Sequence, residues 1–533
     1  MTDIATLGAG LPLVAVVVPA LAALIVYCLT DPTARDRVVL GGVLVTAGLV
    51  TMMLPAASRG EILSFDAGLV APNIPLALTA DPLGVAFAGF IALVYLLSIP
   101  VIVFQHRTQS VGPGTREYAC LLASQAAAIG AALAGNLLLL FVALELLTLL
   151  TYPLLADGED RRSRRAGYAY LTYGFTGGLA VLIATRLVYA EAGMVTFVEA
   201  GIPALVGAGE PWGLRAAAIL FVLGFGVKAA VVPLHSWLVR ARVASTPVLG
   251  TVFVAIITTT GVFGLVRVVR DIFGTATFGT LGVTPLLLGL ASVSALIGGA
   301  LAIGSDRFRD RLVYLAVAAS AFPLLSVAVP EVHVLAAVGV AGGHVLFLLI
   351  GFLALSLLES EETPLHVHTA SPVLWIASTT LVGGVLLVGM WYRYSIGVRT
   401  APVVTAILLV VALVHLITLQ PIVCRLVPGP SSEIERINHL VPGERSAIGR
   451  IAGQSRSVGT VIGAQMDRVA IAAMTGVRHP ERAIEAVLPR TIHGRYQHIR
   501  DRRPGRTGTK LRIEDSIYVV AVVLAIVLIL GLQ

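Results

Sequence analysis

Apolar runs of about 20 residues, the length a helix needs to cross a bilayer, recur along this chain between short polar stretches. The pattern predicts thirteen spans in roughly the first 425 residues, near 7–29, 38–56, 83–104, 117–134, 136–156, 167–190, 215–239, 245–267, 282–304, 312–329, 332–357, 371–392 and 401–424. A fourteenth covers about 516–532. The expected fold is therefore all-α, a polytopic transmembrane helical bundle of about 14 spans. One long polar segment, roughly 425–515, interrupts it. There Ile448, Ile451, Val458, Ile462, Met466, Val469 and Ala473 recur at near-helical spacing, broken by Arg450, Arg456, Asp467 and Arg468. This predicts an amphipathic helix along the membrane surface or a partner subunit. A basic tail touching anionic lipid is the plainer alternative. The tether between two spans argues against nucleic acid as a partner.

Composition points to the same solvent. Of 533 residues, 57% are hydrophobic and 13% charged, with a mean hydropathy of +0.91. Soluble domains carry about 25% charged residues. Cys28, Cys120 and Cys424 lie apart in apolar segments, without a CxxC or a Cys/His cluster. They read as inert packing residues, so no iron–sulfur centre, haem, metal site or other cofactor is expected, and no catalytic chemistry. The start, Met1-Thr2-Asp3-Ile4, lacks the basic stretch of a signal peptide, and the run after it is too long for one. It is expected to be the first membrane helix.

Loop arginines set the orientation. The loops after the fifth, seventh and ninth spans hold Arg161, Arg162, Arg164 and Arg165, then Arg240 and Arg242, then Arg307, Arg309 and Arg311. Even-numbered loops are poorer, with Arg215, Arg267, Arg270, Arg393 and Arg399 among few. This places odd loops and the 425–515 segment in the cytoplasm and both termini outside. The protein is expected in the plasma membrane as a multi-pass chain.

Ionisable groups at membrane depth cost about 2.5–3.5 kcal/mol each on insertion scales, and persist where they face a partner or a hydrated path. Two lie well inside predicted spans: Glu145 in the fifth and Lys228 in the seventh. The chain has two lysines, Lys228 and Lys510, and relies on arginine for its other basic side chains. A lysine at such depth suggests that arginine would not serve. A desolvated lysine can release its proton, and arginine cannot. A purely structural salt bridge between Glu145 and Lys228 is the alternative. Pro233, five residues on, is expected to break or kink the seventh span. His235 follows the break, and histidine titrates near neutral pH. His344 in the eleventh span and Arg393 at the end of the twelfth are further candidates, with His415 weaker. Arg393 also suits an interfacial anchor.

The run Phe225-Gly-Val-Lys228-Ala-Ala-Val-Val-Pro233-Leu-His235-Ser-Trp237-Leu238, followed by Ser245-Thr-Pro247-Val, resembles the proton-translocating, antiporter-like membrane subunits shared by complex I, Mrp-type sodium/proton antiporters and membrane-bound hydrogenases. Phe141-Val-Ala-Leu-Glu145 is similar to that family's glutamate helix, and Asp306 to Tyr314 to its loop into the tenth helix. The resemblance spans roughly residues 80–420 and is specific around 225–250. It implies two inverted five-helix repeats with broken helices. The implied divisions are 1–115 for the first three spans, 116–270 and 280–425 for the two repeats, 426–515 for the lateral segment and 516–533 for a terminal anchor. It also implies that Glu145 and Lys228 are the family's Glu/Lys pair. Family lysines are replaced by Thr259, Leu348 and Arg393, which marks a divergent member and thins the titratable chain of the second repeat.

The resemblance implies a subunit of a multi-subunit Mrp-type cation/proton antiporter, with other membrane subunits as partners and Na⁺ as a candidate coupled ion. Glu145, Lys228, His235, His344 and Arg393 would line the proton path. One alternative is the membrane arm of a redox-driven pump of the NADH:quinone oxidoreductase or hydrogenase type. Another is the membrane partner of an inorganic-carbon uptake complex.

Overall fold

Caps and turn residues punctuate the chain. Asp31 opens the second helix by accepting hydrogen bonds from the backbone of Thr33 and Ala34 at 3.2 and 2.9 Å, with Pro32 at the first helical position. In a computed structural model, the described residues are 2–108, 114–156, 161–205, 212–241, 247–304 and 308–328. They form α1 (Thr2–Cys28), α2 (Pro32–Ser58), β1 (Leu63–Ala71), β2 (Ile74–Ala80), α3 (Pro82–Thr108), α4 (Thr115–Ala132), α5 (Leu137–Ala156), α6 (Arg161–Ala192), α7 (Trp212–Lys228), α8 (Ser236–Ala241), α9 (Pro247–Arg267), α10 (Thr275–Thr280), α11 (Thr284–Gly304) and α12 (Phe308–Ala328).

Seven helices among the described residues are long and apolar enough to cross a membrane. The chain is a mostly helical, multi-pass membrane protein. Leu21, Leu24, Leu44, Met52, Leu179 and Ile183 point outward along these helices, as a lipid solvent permits. Burial divides the bundle: 94% of the apolar stretch of α9 is inside, against 33% for α1. The helix that carries Thr259 therefore runs through the centre. The expected spans eleven to fourteen and the 425–515 segment lie outside the described residues.

The all-α expectation needs correction. β1 and β2 form an antiparallel hairpin between α2 and α3, closed by Pro72 and Asn73, with Asn73 at φ 58°. Proline fixes the first turn position and asparagine tolerates the left-handed second. The hairpin is held at one end of the bundle by main-chain bonds. Thr79 donates to Leu133 at 2.7 Å, and Gly135 to Ala77 at 3.0 Å. Leu137 donates to Val195, Phe197 to Gly135 and Val198 to Asp271, each at 3.0–3.1 Å. The links that follow α2, α4, α6 and α9 thus knit into a single plate. All follow even-numbered spans of the sequence count, α9 being the eighth, so the alternation of loops places them at one end.

Arg267 fastens that plate to the helices. It was counted above as a loop charge, and the structure corrects this: only 2% of its side chain is exposed. Its two terminal nitrogens donate to both Asp81 oxygens at 2.6 Å, and one also donates to Asp271 at 2.9 Å. The guanidinium lies 5.0 Å from the Phe197 ring centre and 5.1 Å from that of Phe263. Asp81 also caps α3 by accepting from Gly84 at 2.8 Å. Removing one partner of a buried ion cluster strands the rest. Arg267→Ala is expected to destabilise the fold by about 3–5 kcal/mol, read as a lowered melting temperature of the solubilised protein. An unchanged transition would show that the plate is held elsewhere.

Candidate functional site

The site is built around a helix that stops inside the bundle. α7 ends at Lys228 and α8 begins at Ser236. The sequence placed the break at Pro233, whereas the helix ends five residues earlier, at the lysine itself. The cause is visible in the backbone. The Trp237 indole donates to the Val227 carbonyl at 2.8 Å, and Val231 reaches back to Gly226 at 3.0 Å. Ala230 takes a left-handed φ of 55°, which turns the chain. Val232 donates to Ser294 Oγ of α11 at 2.8 Å, and Pro233 has no N–H to satisfy. Irregular backbone survives at membrane depth when its polar groups are met in this way.

Lys228 Nζ sits 3.0 Å from Glu145 Oε1 and donates to Thr148 Oγ1 at 2.9 Å. The lysine side chain is 5% exposed and the glutamate 12%, so both lie within the bundle. Neither carboxylate oxygen accepts an aligned hydrogen bond, and the contact is one of charge. Two glycines make room for the pair. A Cβ on Gly178 of α6 would collide with the Glu145 carboxylate. One on Gly261 of α9 would come within 2.7 Å of the Lys228 carbonyl carbon.

A polar stripe continues from the pair along α5. Thr148 and Thr151 follow Glu145 at three-residue steps, on one helix face. Thr151 donates to Leu147 O at 2.7 Å, and its oxygen lies 2.8 Å from the Tyr170 hydroxyl of α6. One turn further along α6, the Tyr173 hydroxyl lies 2.6 Å from Ser236 Oγ at the start of α8. Tyr170 packs against the Trp237 and Phe253 rings at 5.4 and 4.8 Å. The arrangement is a buried acid–base pair with hydroxyls leading from it toward the end opposite the plate.

Residues 134–415 match the family described as NADH:quinone oxidoreductase/Mrp antiporter, transmembrane. The chain belongs to that family. NADH-quinone oxidoreductase subunit N of Desulforudis audaxviator (strain MP104C) is 30% identical over 364 residues, 64% of this chain and 70% of the relative. The structure of the Mrp complex from Dietzia sp. DQ12-45-1b shares the fold with a TM-score of 0.67 at 21% identity, over 78% of this chain and 79% of the other. Respiratory complex I from Thermus thermophilus with bound Aureothin shares it with a TM-score of 0.61 at 18% identity, over 86% and 98%. The chain is a membrane subunit of the Mrp antiporter or complex I-like kind, and both likenesses are supported equally.

Of the residues singled out from the sequence, the structure brings Glu145 and Lys228 together. It places His235 buried beside α8, just past Pro233. Thr259 is buried on α9 between Thr258 and Thr260, whose hydroxyls are turned to their own backbone at 2.7 and 2.9 Å. His344, Leu348, Arg393 and His415 lie outside the described residues. The sequence reading missed Tyr170, Tyr173 and Ser294. Tyr170 and Tyr173 offered one signal: two phenols three residues apart in the sixth predicted span. Ser294 offered none, because it acts on the backbone of a distant segment. Ser294→Ala is expected to cost about 1–3 kcal/mol by stranding the Val232 N–H, read in thermal unfolding of the purified protein. Equal stability would show that Ser294 does not support the break.

Proposed function

We propose that the chain carries protons across the plasma membrane within a multi-subunit complex, and that Lys228 loads and releases the proton while Glu145 sets its charge balance. The observation that carries this reading is the ion pair itself: a lysine and a glutamate 3.0 Å apart, buried where a helix breaks. Broken helices at membrane depth line ion sites. Lysine is the cation that can lose its proton there. Thr148, Thr151 and Tyr170 would carry protons between the pair and the basic end of α6, where Arg164 and Arg165 are exposed. That end is the cytoplasmic one in this reading, and the 425–515 segment lies on the same side.

The larger architecture in this reading has about 14 spans, with inverted repeats at 116–270 and 280–425. His235, His344 and Arg393 extend the path into the second repeat. Arg393 can orient water but does not give up its proton, so His344 becomes the main station there. The partners are other membrane subunits. In an Mrp-type complex the proton would exchange for a cation such as Na⁺, and the likeness to the Dietzia Mrp complex supports that form. The 30% identity to an NADH-quinone oxidoreductase subunit supports the other form, in which a redox partner drives the same path.

Lys228→Arg is expected to abolish proton flux in the reconstituted complex while subunit assembly survives. The charge is kept and the exchangeable proton is lost. Normal flux in an assembled Lys228→Arg complex would reduce the pair to a structural salt bridge. His344→Ala is expected to lower flux more than loss of any other single polar group in the second repeat, measured in the same vesicles. Unchanged flux would remove this repeat from the path.

A further inference from the structure

Lys228 is gripped from one face of α5. Glu145 and Thr148 stand three residues apart there, and the ammonium lies 3.0 Å from the carboxylate and 2.9 Å from the hydroxyl oxygen. Thr148 is 2% exposed and Lys228 4%, so bulk solvent does not compete for either. The two contacts differ in kind. The carboxylate supplies charge without an aligned hydrogen bond. The hydroxyl supplies a directed acceptor.

Two features fix the direction of that hydroxyl. Its own proton goes to the Leu144 carbonyl one turn back, at 2.9 Å. A hydroxyl has one proton to give, so the side of the oxygen that faces Lys228 accepts. The second feature is the Thr148 methyl, which is seated on Gly174 of α6. A Cβ on Gly174 would come within 2.8 Å of that methyl carbon, and 3.9 Å from the hydroxyl oxygen. Threonine in a helix divides between two rotamers. The Leu144 bond and the methyl contact together select the one that turns the oxygen to the lysine. Gly174 stands four residues before Gly178, the glycine that makes room for Glu145. One turn of α6 thus seats both α5 supports of Lys228.

An acceptor held in this way distinguishes the two forms of lysine. It takes a charge-assisted hydrogen bond from an ammonium, and it offers nothing to the lone pair of a neutral amine. We propose that Thr148 is a positioning residue for Lys228. It holds Nζ against Glu145 and, as a fixed acceptor, sets the pH at which the lysine gives up its proton. This role rests on the proton-carrying reading and gives Thr148 a second task beside its place in the hydroxyl stripe.

Proton flux against pH, in vesicles reconstituted with the assembled complex, tests this. Thr148→Val keeps the side chain's shape and removes the acceptor. Flux is expected to fall, because the stripe loses a hydroxyl, and the remaining profile is expected to move to lower pH by about one unit, the scale of one hydrogen bond to a charged group. The sign follows from losing a contact that favours the ammonium, so the proton leaves more readily. Thr148→Ala carries the same expectation if valine disturbs assembly. Thr148→Ser, which keeps the acceptor, is expected to bring the profile back. An unmoved profile in the assembled valine or alanine variant, or a serine profile displaced as far as theirs, overturns the positioning role. Complete loss of flux in the assembled variant overturns it too, because the hydroxyl is then a station of the path and nothing more. Normal flux in Lys228→Arg marks failure of the proton-carrying reading. Lost flux in Lys228→Arg beside an unmoved profile in Thr148→Val marks failure of the positioning role alone.

Discussion

A lysine ammonium in hydrocarbon must be matched by charge and dipoles at fixed positions, because no solvent can adjust to it. Lys228 receives three such supports. Glu145 supplies the opposite charge at 3.0 Å and Thr148 an oriented hydroxyl at 2.9 Å. The third is the end of α7 itself, whose last carbonyls carry the negative pole of the helix dipole. A continuous seventh helix would place the lysine in mid-helix and forfeit that pole. The break is thus part of how the charge is tolerated. The Trp237 and Ser294 bonds that hold the break open are in turn part of the site.

The surrounding helices are arranged to bring these supports close. Gly178 lets α6 press on Glu145, and Gly261 lets α9 press on the backbone at Lys228. Close approach of this kind is how membrane helices gain packing without a hydrophobic drive between them. The plate at the far end, fastened by Arg267 to Asp81 and Asp271, fixes the heights of α3, α5 and α9 relative to one another. Polar groups on separate helices can meet in the interior only if those heights are fixed. The stability of the end and the chemistry of the middle are therefore linked through helix register.

Helix positions were legible because a bilayer forces long apolar runs, and a charge inside such a run stands out. Glu145 and Lys228 were visible for that reason, and so was the need for a break near Pro233. The site of the break was not, because it depends on an indole and a serine reaching it from elsewhere. The hairpin was passed over, although Pro72-Asn73 before Ile74-Pro75-Leu76-Ala77-Leu78-Thr79-Ala80 carries the turn pair and alternation of one. Arg267 misled for a related reason. Arginines near span ends are usually topogenic, and only its contacts with Asp81, far away in sequence, reveal it as interior. Residues whose role is to satisfy distant backbone or charge leave no local pattern.

The distribution of charge in the described half carries one further step. Arg267 is shared by two carboxylates, in a cluster that holds a permanent cation. Lys228 is given a single carboxylate, without an aligned hydrogen bond, and one hydroxyl. Both cations are buried to a similar degree, so burial alone does not explain the different provision. A group that must stay charged is best bound by several strong, bidentate contacts. A group that must change its charge is best left with few, because each contact that favours the ammonium opposes its deprotonation. Arginine with two carboxylates at the plate and lysine with one at the break fit that division. The contrast in contacts, several on Arg267 and few on Lys228, supports the proposal that Lys228 is the group that exchanges a proton.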